Sequence, residues 1–239
     1  MAGTLRHPQV RTLIGVDGCK RGWLCVAKRA GRFEAWIAPD ITSVVKRAGA
    51  RSLIGIDVPI GFARSTGREC DTAARALLGT RACTVFSPPV RDALAARTHQ
   101  QACRINRKMR GRGISIQAFH LYPKLREVDS LLRSHRRLRH RLFEVHPEVS
   151  FALWRGRPMQ HGKKSARGRR ARMRLIEKTW PNLIARLRDD LGRGGYVTDD
   201  LLDAIAVLWS TIRFAQRSHE SFPDKPEFDT RALPMRIVG

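Results

Sequence analysis

The stretch Ser52-Leu-Ile-Gly-Ile56 constrains the fold more than any other part of the sequence. It is an uninterrupted apolar run of strand length, closed by Asp57-Val-Pro-Ile-Gly61. A strand without polar alternation is one buried on both faces, so layers must cover it above and below. Three more short runs precede it, at Thr12–Val16, Gly22–Ala27 and Phe33–Ala38, separated by Gly/Lys/Arg turns. They read as an antiparallel meander. Asp40 is placed to cap a helix running to Ala48 and ending at Gly49, and Glu69–Leu78 is a second helix stopped by Gly79.

Beyond that point the pattern is mostly helical and basic over residues 80–140, punctuated by Pro88-Pro89 and Pro123. Leu142–Val145 reads as a short buried strand stopped by Pro147, and helical pattern resumes at Ser165–Thr179 and Leu183–Leu191. Thr198 or Asp199 can cap a last long helix with an apolar stripe through Leu201, Leu202, Ile205, Leu208, Trp209 and Ile212. The polar tail after Ser218 offers one short strand, Met235–Val238. A meander followed by α/β alternation implies an α/β fold, a mixed sheet with helices on its faces. One domain is expected over residues 11–239, with a basic helical insert at 80–140.

Composition narrows the class. The chain has 239 residues, 42% apolar and 28% charged, which is too apolar for a disordered polymer. No apolar run approaches the ~20 residues of a membrane helix, and residues 1–9 carry no signal-peptide pattern, so a cytoplasmic protein without a membrane partner is expected. Cys19, Cys25, Cys70, Cys83 and Cys103 form no Cys-x-x-Cys pair and suggest neither a zinc ribbon nor a disulfide framework. Cys19 lies beside Asp17 and could be exposed, but no base is evident for it, so it is read as structural.

The formal charge is +25, from 46 Lys/Arg against 21 Asp/Glu. Between His99 and Arg174, 21 basic residues face only 4 acidic ones. Arginine forks suit phosphate oxygens, so a polyanion, nucleic acid first, is the expected partner. An arginine-rich solvated surface is the plainer alternative.

Acids stand where chemistry could use them. Asp17 ends the first strand, Asp57 ends the fourth, Glu144 lies in the fifth, and Asp200 and Asp203 share nearly one face of the last helix. Ligand sites of α/β sheets gather at strand ends. Converging carboxylates repel, and Mg²⁺ or Mn²⁺ is the natural guest of an oxygen-only cluster. Each acid also has an ordinary reading: a turn, a strand stop, or a helix-dipole partner. Asp203 is hardest to dismiss, because it sits on or beside an apolar face where an unpaired charge is costly.

Taken together, these residues resemble the predicted RNase H-like nucleases, a family of unknown function. The likeness lies in Gly15-Val-Asp-Gly-Cys-Lys-Arg-Gly-Trp23, Ile56-Asp-Val-Pro-Ile-Gly61, and Arg68-Glu-Cys-Asp-Thr-Ala-Ala-Arg-Ala-Leu-Leu-Gly79 running on to Val85-Phe86 and Pro89. It continues through Gly113–Gln117, Pro123–Asp129, Glu144-Val-His-Pro-Glu-Val-Ser-Phe151 and Asp199-Asp-Leu-Leu-Asp-Ala204. The resemblance implies a five-stranded RNase H-like mixed sheet flanked by helices. It also implies metal ligands at Asp17, Asp57 and Asp200 or Asp203, with Glu144 in support. On that reading the protein hydrolyses phosphodiesters of DNA or RNA with two divalent ions. His146 and Glu148 lie close to the set. His146, Lys124, Arg126, Lys163 and Lys164 could meet substrate phosphates, or could be a turn contact and a solvated basic face. Arg21 stands where glycine often follows the family's basic residue.

Two other classes remain open at this level. Sugar and acetate kinases use an Asp-Gly turn on a related sheet to hold ATP phosphates, and Asp17-Gly18 could do the same. A nucleic-acid-binding protein without catalysis would use the charge alone, although 16 Phe, Trp and Tyr give no evident stacking platform. The oligomeric state is open, with a homodimer among the options.

Overall fold

The computed structural model describes residues 10–239. In chain order the elements begin with β1 (Thr12–Cys19), β2 (Gly22–Arg29), β3 (Arg32–Ala38), α1 (Ile41–Ala48), β4 (Ser52–Ile56) and α2 (Glu69–Leu78). They continue with α3 (His99–Arg110), α4 (Ile116–His120), α5 (Tyr122–Ser134), β5 (Leu142–Glu144) and α6 (Pro147–Arg155). The last are α7 (Ala166–Thr179), α8 (Leu183–Leu191), α9 (Thr198–Ala215), β6 (Ser221–Phe228) and β7 (Pro234–Val238).

The fold is α/β. Five strands form one mixed sheet in the order β3-β2-β1-β4-β5. β1, β2 and β3 are antiparallel neighbours, while β4 runs parallel to β1 and β5 parallel to β4. The register aligns Val16 with Ile56, and Ile56 with Glu144. Three strands therefore end side by side, and the Asp57 amide extends the ladder by donating to the Val16 carbonyl at 2.9 Å.

Strand alternation sorts the core into two layers. Ile14, Val16, Ile54, Ile56 and Leu142 pack with α1 and α5, through Val44, Leu125, Val128 and Leu132. On the other face, Leu24 and Val26 meet Leu201, Ala204, Ile205 and Leu208 of α9, and Leu53 and Phe143 meet Val207. Helix α5 is thus part of a core layer, not an appendage on it.

Helix α9 lies unusually close to the sheet. A Cβ on Gly15 would stand 2.2 Å from the Ala204 carbonyl oxygen and 2.2 Å from the Leu208 nitrogen. A Cβ on Gly55 would stand 2.3 Å from the Thr211 hydroxyl. That hydroxyl donates to the Ile14 carbonyl at 3.2 Å, joining helix to strand.

Several expected boundaries hold. Asp40 caps α1 by accepting from the Ser43 amide at 2.7 Å, and Gly49 and Gly79 end their helices. Three readings need correction. Pro147 does not merely stop β5: as the first residue of α6 it has no amide for the helix to lose. The tail is a hairpin, because β6 pairs with β7 and Val238 bridges Val145 at the sheet edge. Helix α9 is capped by neither Thr198 nor Asp199. Asp200 reaches back and accepts from the Val197 amide at 2.9 Å. Among the described residues, no helix is long and apolar enough to cross a membrane. All five cysteines are free, and Cys19 is buried, not exposed.

Gly15→Ala is expected to cost more than the ~1–3 kcal/mol of ordinary overpacking, because backbone and not a flexible side chain stands in the way. Thermal denaturation checks this. A melting temperature equal to wild type would contradict the close seat of α9.

Candidate active site

Side-chain alternation carries three aspartates to one place. Asp17 follows Gly15 by two residues and Asp57 follows Gly55 by two, so both take the α9 face of the sheet at aligned strand ends. Asp203 is the neighbour of Ala204, the residue α9 presses on Gly15. Asp17, Asp57 and Asp203 all line one cavity of about 630 Å³.

The electrostatics agree with the geometry. Burial, then the charges of Asp57 and Asp203, hold the Asp17 carboxyl well above the usual carboxylate range. Burial pushes Asp57 up to about 6 against the opposing pull of Lys163. Asp203 is only 2% exposed. Its pKa also rises to about 6, mainly through burial, with Asp57 adding to the shift and Lys163 opposing it.

Lys163 supplies the cation at this cluster. Its ammonium bonds the Asp203 carboxylate while the side chain remains 46% exposed. Burial works against the charged amine, but Asp203, Asp57 and Asp17 outweigh it and raise its pKa. Among the described residues, no three His, Cys, Asp or Glu side chains are grouped closely enough to hold a metal ion. The donor chemistry nonetheless suits a hard cation: three carboxylates, oxygen-only, with one ammonium against them.

The remaining expected residues divide. Glu144 lines the cavity but sits one strand position out of phase with the aspartates, on the opposite face. Both its oxygens are taken by Arg68, at 2.7 and 2.8 Å, and one also accepts from the Ile60 amide at 2.8 Å. Asp200 serves as the α9 cap, and burial raises its pKa. Lys124 lines the cavity, bonds the Gly22 carbonyl and lies 4.2 Å from the Trp23 ring centre, so it braces the β1–β2 turn. Burial lowers its pKa. Arg126 is spent on the Leu94 and Ala96 carbonyls. Lys164 is exposed at the cavity mouth.

His146 also lines the cavity. Its Nε2 lies 3.3 Å from the Thr84 carbonyl, its buried Nδ1 has no partner, and burial lowers its pKa.

Two buried ion clusters around the cavity were not legible in the sequence. Arg68 joins Glu144 to Asp71, all three buried. Arg172, wholly buried, grips Glu148 with bonds of 2.8 and 2.7 Å, and Arg81 adds a third at 3.2 Å. Arg68 and Asp71 stand in the stretch Arg68–Gly79, but nothing in it shows that they pair with each other and with Glu144. Arg172 sits in a run of arginines that gives no hint of which one turns inward.

A pH effect follows for the metal-free protein. Asp57 has its folded pKa raised from 3.8 to about 6, so the folded state holds protons that the unfolded chain releases. Its contribution to stability is complete below pH ~4 and lost as pH rises through ~6. In chelator, the unfolding free energy of wild type relative to Asp57→Asn should fall across that window. Denaturant titrations at several pH values check this, and a flat or rising difference would contradict it.

Comparison with known proteins gives a family without a described activity. No curated protein and no solved structure matches the chain. One family model, described as Protein of unknown function (DUF429), matches residues 15–228, which include Asp17, Asp57, Lys163 and Asp203. The chain belongs to the DUF429 family.

Proposed function

We propose that this protein is a metal-dependent phosphodiesterase of the RNase H-like type, acting on DNA or RNA. One observation carries the reading: three mutually repelling carboxylates, Asp17, Asp57 and Asp203, lining one cavity in a chain of charge +25. A sheet with β1 central, an antiparallel β2–β3 edge and parallel β4 and β5 supports the RNase H-like assignment. So does the origin of the acids on the first strand, the fourth strand and the last helix.

The three aspartates would hold Mg²⁺ or Mn²⁺ once Lys163 withdraws and their side chains close on the ion, since they are not grouped closely enough to hold one with Lys163 in place; Asp200, engaged as the α9 cap, would add its charge nearby. A divalent ion there supplies charge to activate water and to stabilise the leaving oxygen. Lys163 would have to leave Asp203 for such an ion, and its half-exposed side chain lets it swing toward a substrate phosphate. Lys164, at the mouth, adds a second positive charge. Lys124, whose ammonium bonds the Gly22 carbonyl, would keep the β1–β2 turn in place at the cavity edge. His146 lines the cavity and burial favours its uncharged form, so it would shape the wall and not neutralise a phosphate. Glu144 acts indirectly, by anchoring Arg68 in the cavity wall. The chain's net charge of +25 would draw the polyanion's backbone to this face.

The test is cleavage of labelled DNA and RNA with Mg²⁺, Mn²⁺ or EDTA, beside Asp17→Asn. Metal-dependent cleavage should fall at least ~10²-fold in the variant, in line with loss of a principal electrostatic group. Lack of cleavage by wild type under every condition contradicts the nuclease reading. A salt-sensitive gel shift surviving without cleavage would point to a binding protein instead.

A further inference from the structure

A second group of charges stands beside the cavity, and none of the proposed catalytic groups belongs to it. Val85 and Phe86 line the cavity, and Ser87 and Pro88 follow them in an irregular segment. Three arginines from separate places converge on that segment. Arg75, from α2, donates to the Val85 carbonyl at 3.1 and 2.9 Å and to the Ser87 hydroxyl at 2.9 Å. Arg110, the last residue of α3, donates to the Pro88 carbonyl at 3.1 Å. Arg112, just past the left-handed Gly111, reaches the same Ser87 hydroxyl at 3.4 Å.

Among the described residues, none of these three arginines forms an ion pair. Asp71, whose charge acts on Arg110, is already bonded by Arg68. Like charges at this range repel, and burial and the neighbouring guanidiniums push Arg110 below its ordinary pKa. The cluster does not scatter, because fixed elements hold it: Asn106 ties the loop on both sides, accepting from the Val90 amide at 3.0 Å and donating to the Arg112 carbonyl at 2.8 Å. Backbone carbonyls and one hydroxyl occupy some of the N–H donors and leave the rest unused, since each guanidinium has five. A preformed, uncompensated group of forked donors suits a tetrahedral oxyanion.

We propose that Arg75, Arg110 and Arg112 form a phosphate subsite that grips the nucleic-acid backbone beside the linkage held in the cavity. The identity of the phosphate rests on the nuclease reading, whereas its recognition by the arginines does not. Such a subsite fixes the strand's register without reading bases.

The test measures binding of short labelled DNA and RNA oligonucleotides against salt, in EDTA, for wild type, Arg112→Gln, Arg110→Gln and Arg110→Lys. Arg136→Gln, in the exposed basic run before β5, controls for lost charge alone. Loss of one phosphate contact should weaken binding about tenfold and reduce the salt slope by ~0.7–0.9. Arg110→Lys should recover the slope but not the full affinity, because it keeps the charge and loses the fork. Arg112→Gln changes an exposed side chain and keeps the test open should the Arg110 variants fail to fold. Effects equal to those of Arg136→Gln overturn the proposal. Should wild type bind no oligonucleotide in EDTA, inorganic phosphate becomes the probe, and the nuclease reading is decided separately by the cleavage assay. A phosphate-induced rise in melting temperature, lost in Arg112→Gln and kept in Arg136→Gln, then sustains the subsite, and any other result overturns it.

Discussion

The close seat of α9 on β1 and β4 is the constraint from which the rest follows. It exists because Gly15 and Gly55 carry no Cβ where the helix backbone and Thr211 come down. Strand alternation then puts Asp17 and Asp57 on the same face as those glycines, one step further along. The helix in turn delivers Asp203 from beside Ala204. A bulkier residue at either glycine would lift α9 and separate the carboxylates, so packing and chemistry share one geometric cause. The Lys163 ammonium then answers the charge that this packing concentrates.

The same principle assigns much of the chain's positive charge to structure. Arg172 and Arg68 are buried and hold Glu148, Glu144 and Asp71. Desolvating such groups is expensive, and breaking a pair by removing one partner costs about 3–5 kcal/mol. They are also directional. Arg68, Asp71, Glu144, Arg81 and Glu148 all line the cavity, and their pairing ties α2, β5 and α6 together around it. Arg91 does similar work elsewhere, joining Asp129 to Asp229. A high arginine count is therefore not by itself a measure of polyanion-binding surface. The arginines without carboxylate partners are the informative ones.

Sequence pattern revealed the sheet well and the site in part. Ser52–Ile56 is apolar at nearly every position and can only be a two-sided strand, and the meander before it is bounded by unmistakable turns. Asp17, Asp57 and Asp203 stood out because strand ends and an apolar helix face are places where a carboxylate needs a reason. Helix α6 was hidden because Pro147 signals both the end of a strand and the start of a helix. The β6–β7 hairpin was hidden by a polar, proline-containing sequence with no alternation. Glu144 looked equivalent to the aspartates, but a strand of three residues gives too little pattern to reveal that it faces the other way. Which arginine turns inward is decided by a partner distant in sequence, and no local pattern encodes that.

The central claim is that the three aspartates form a divalent-cation site whose place Lys163 holds. Calorimetric titration of Mn²⁺ into the purified protein addresses it directly, with Lys163→Met and Asp203→Asn alongside wild type. The account predicts binding to wild type, tighter binding to Lys163→Met because the competing ammonium is gone, and loss of binding in Asp203→Asn. Equal affinity in all three, or no binding even in Lys163→Met, would contradict it.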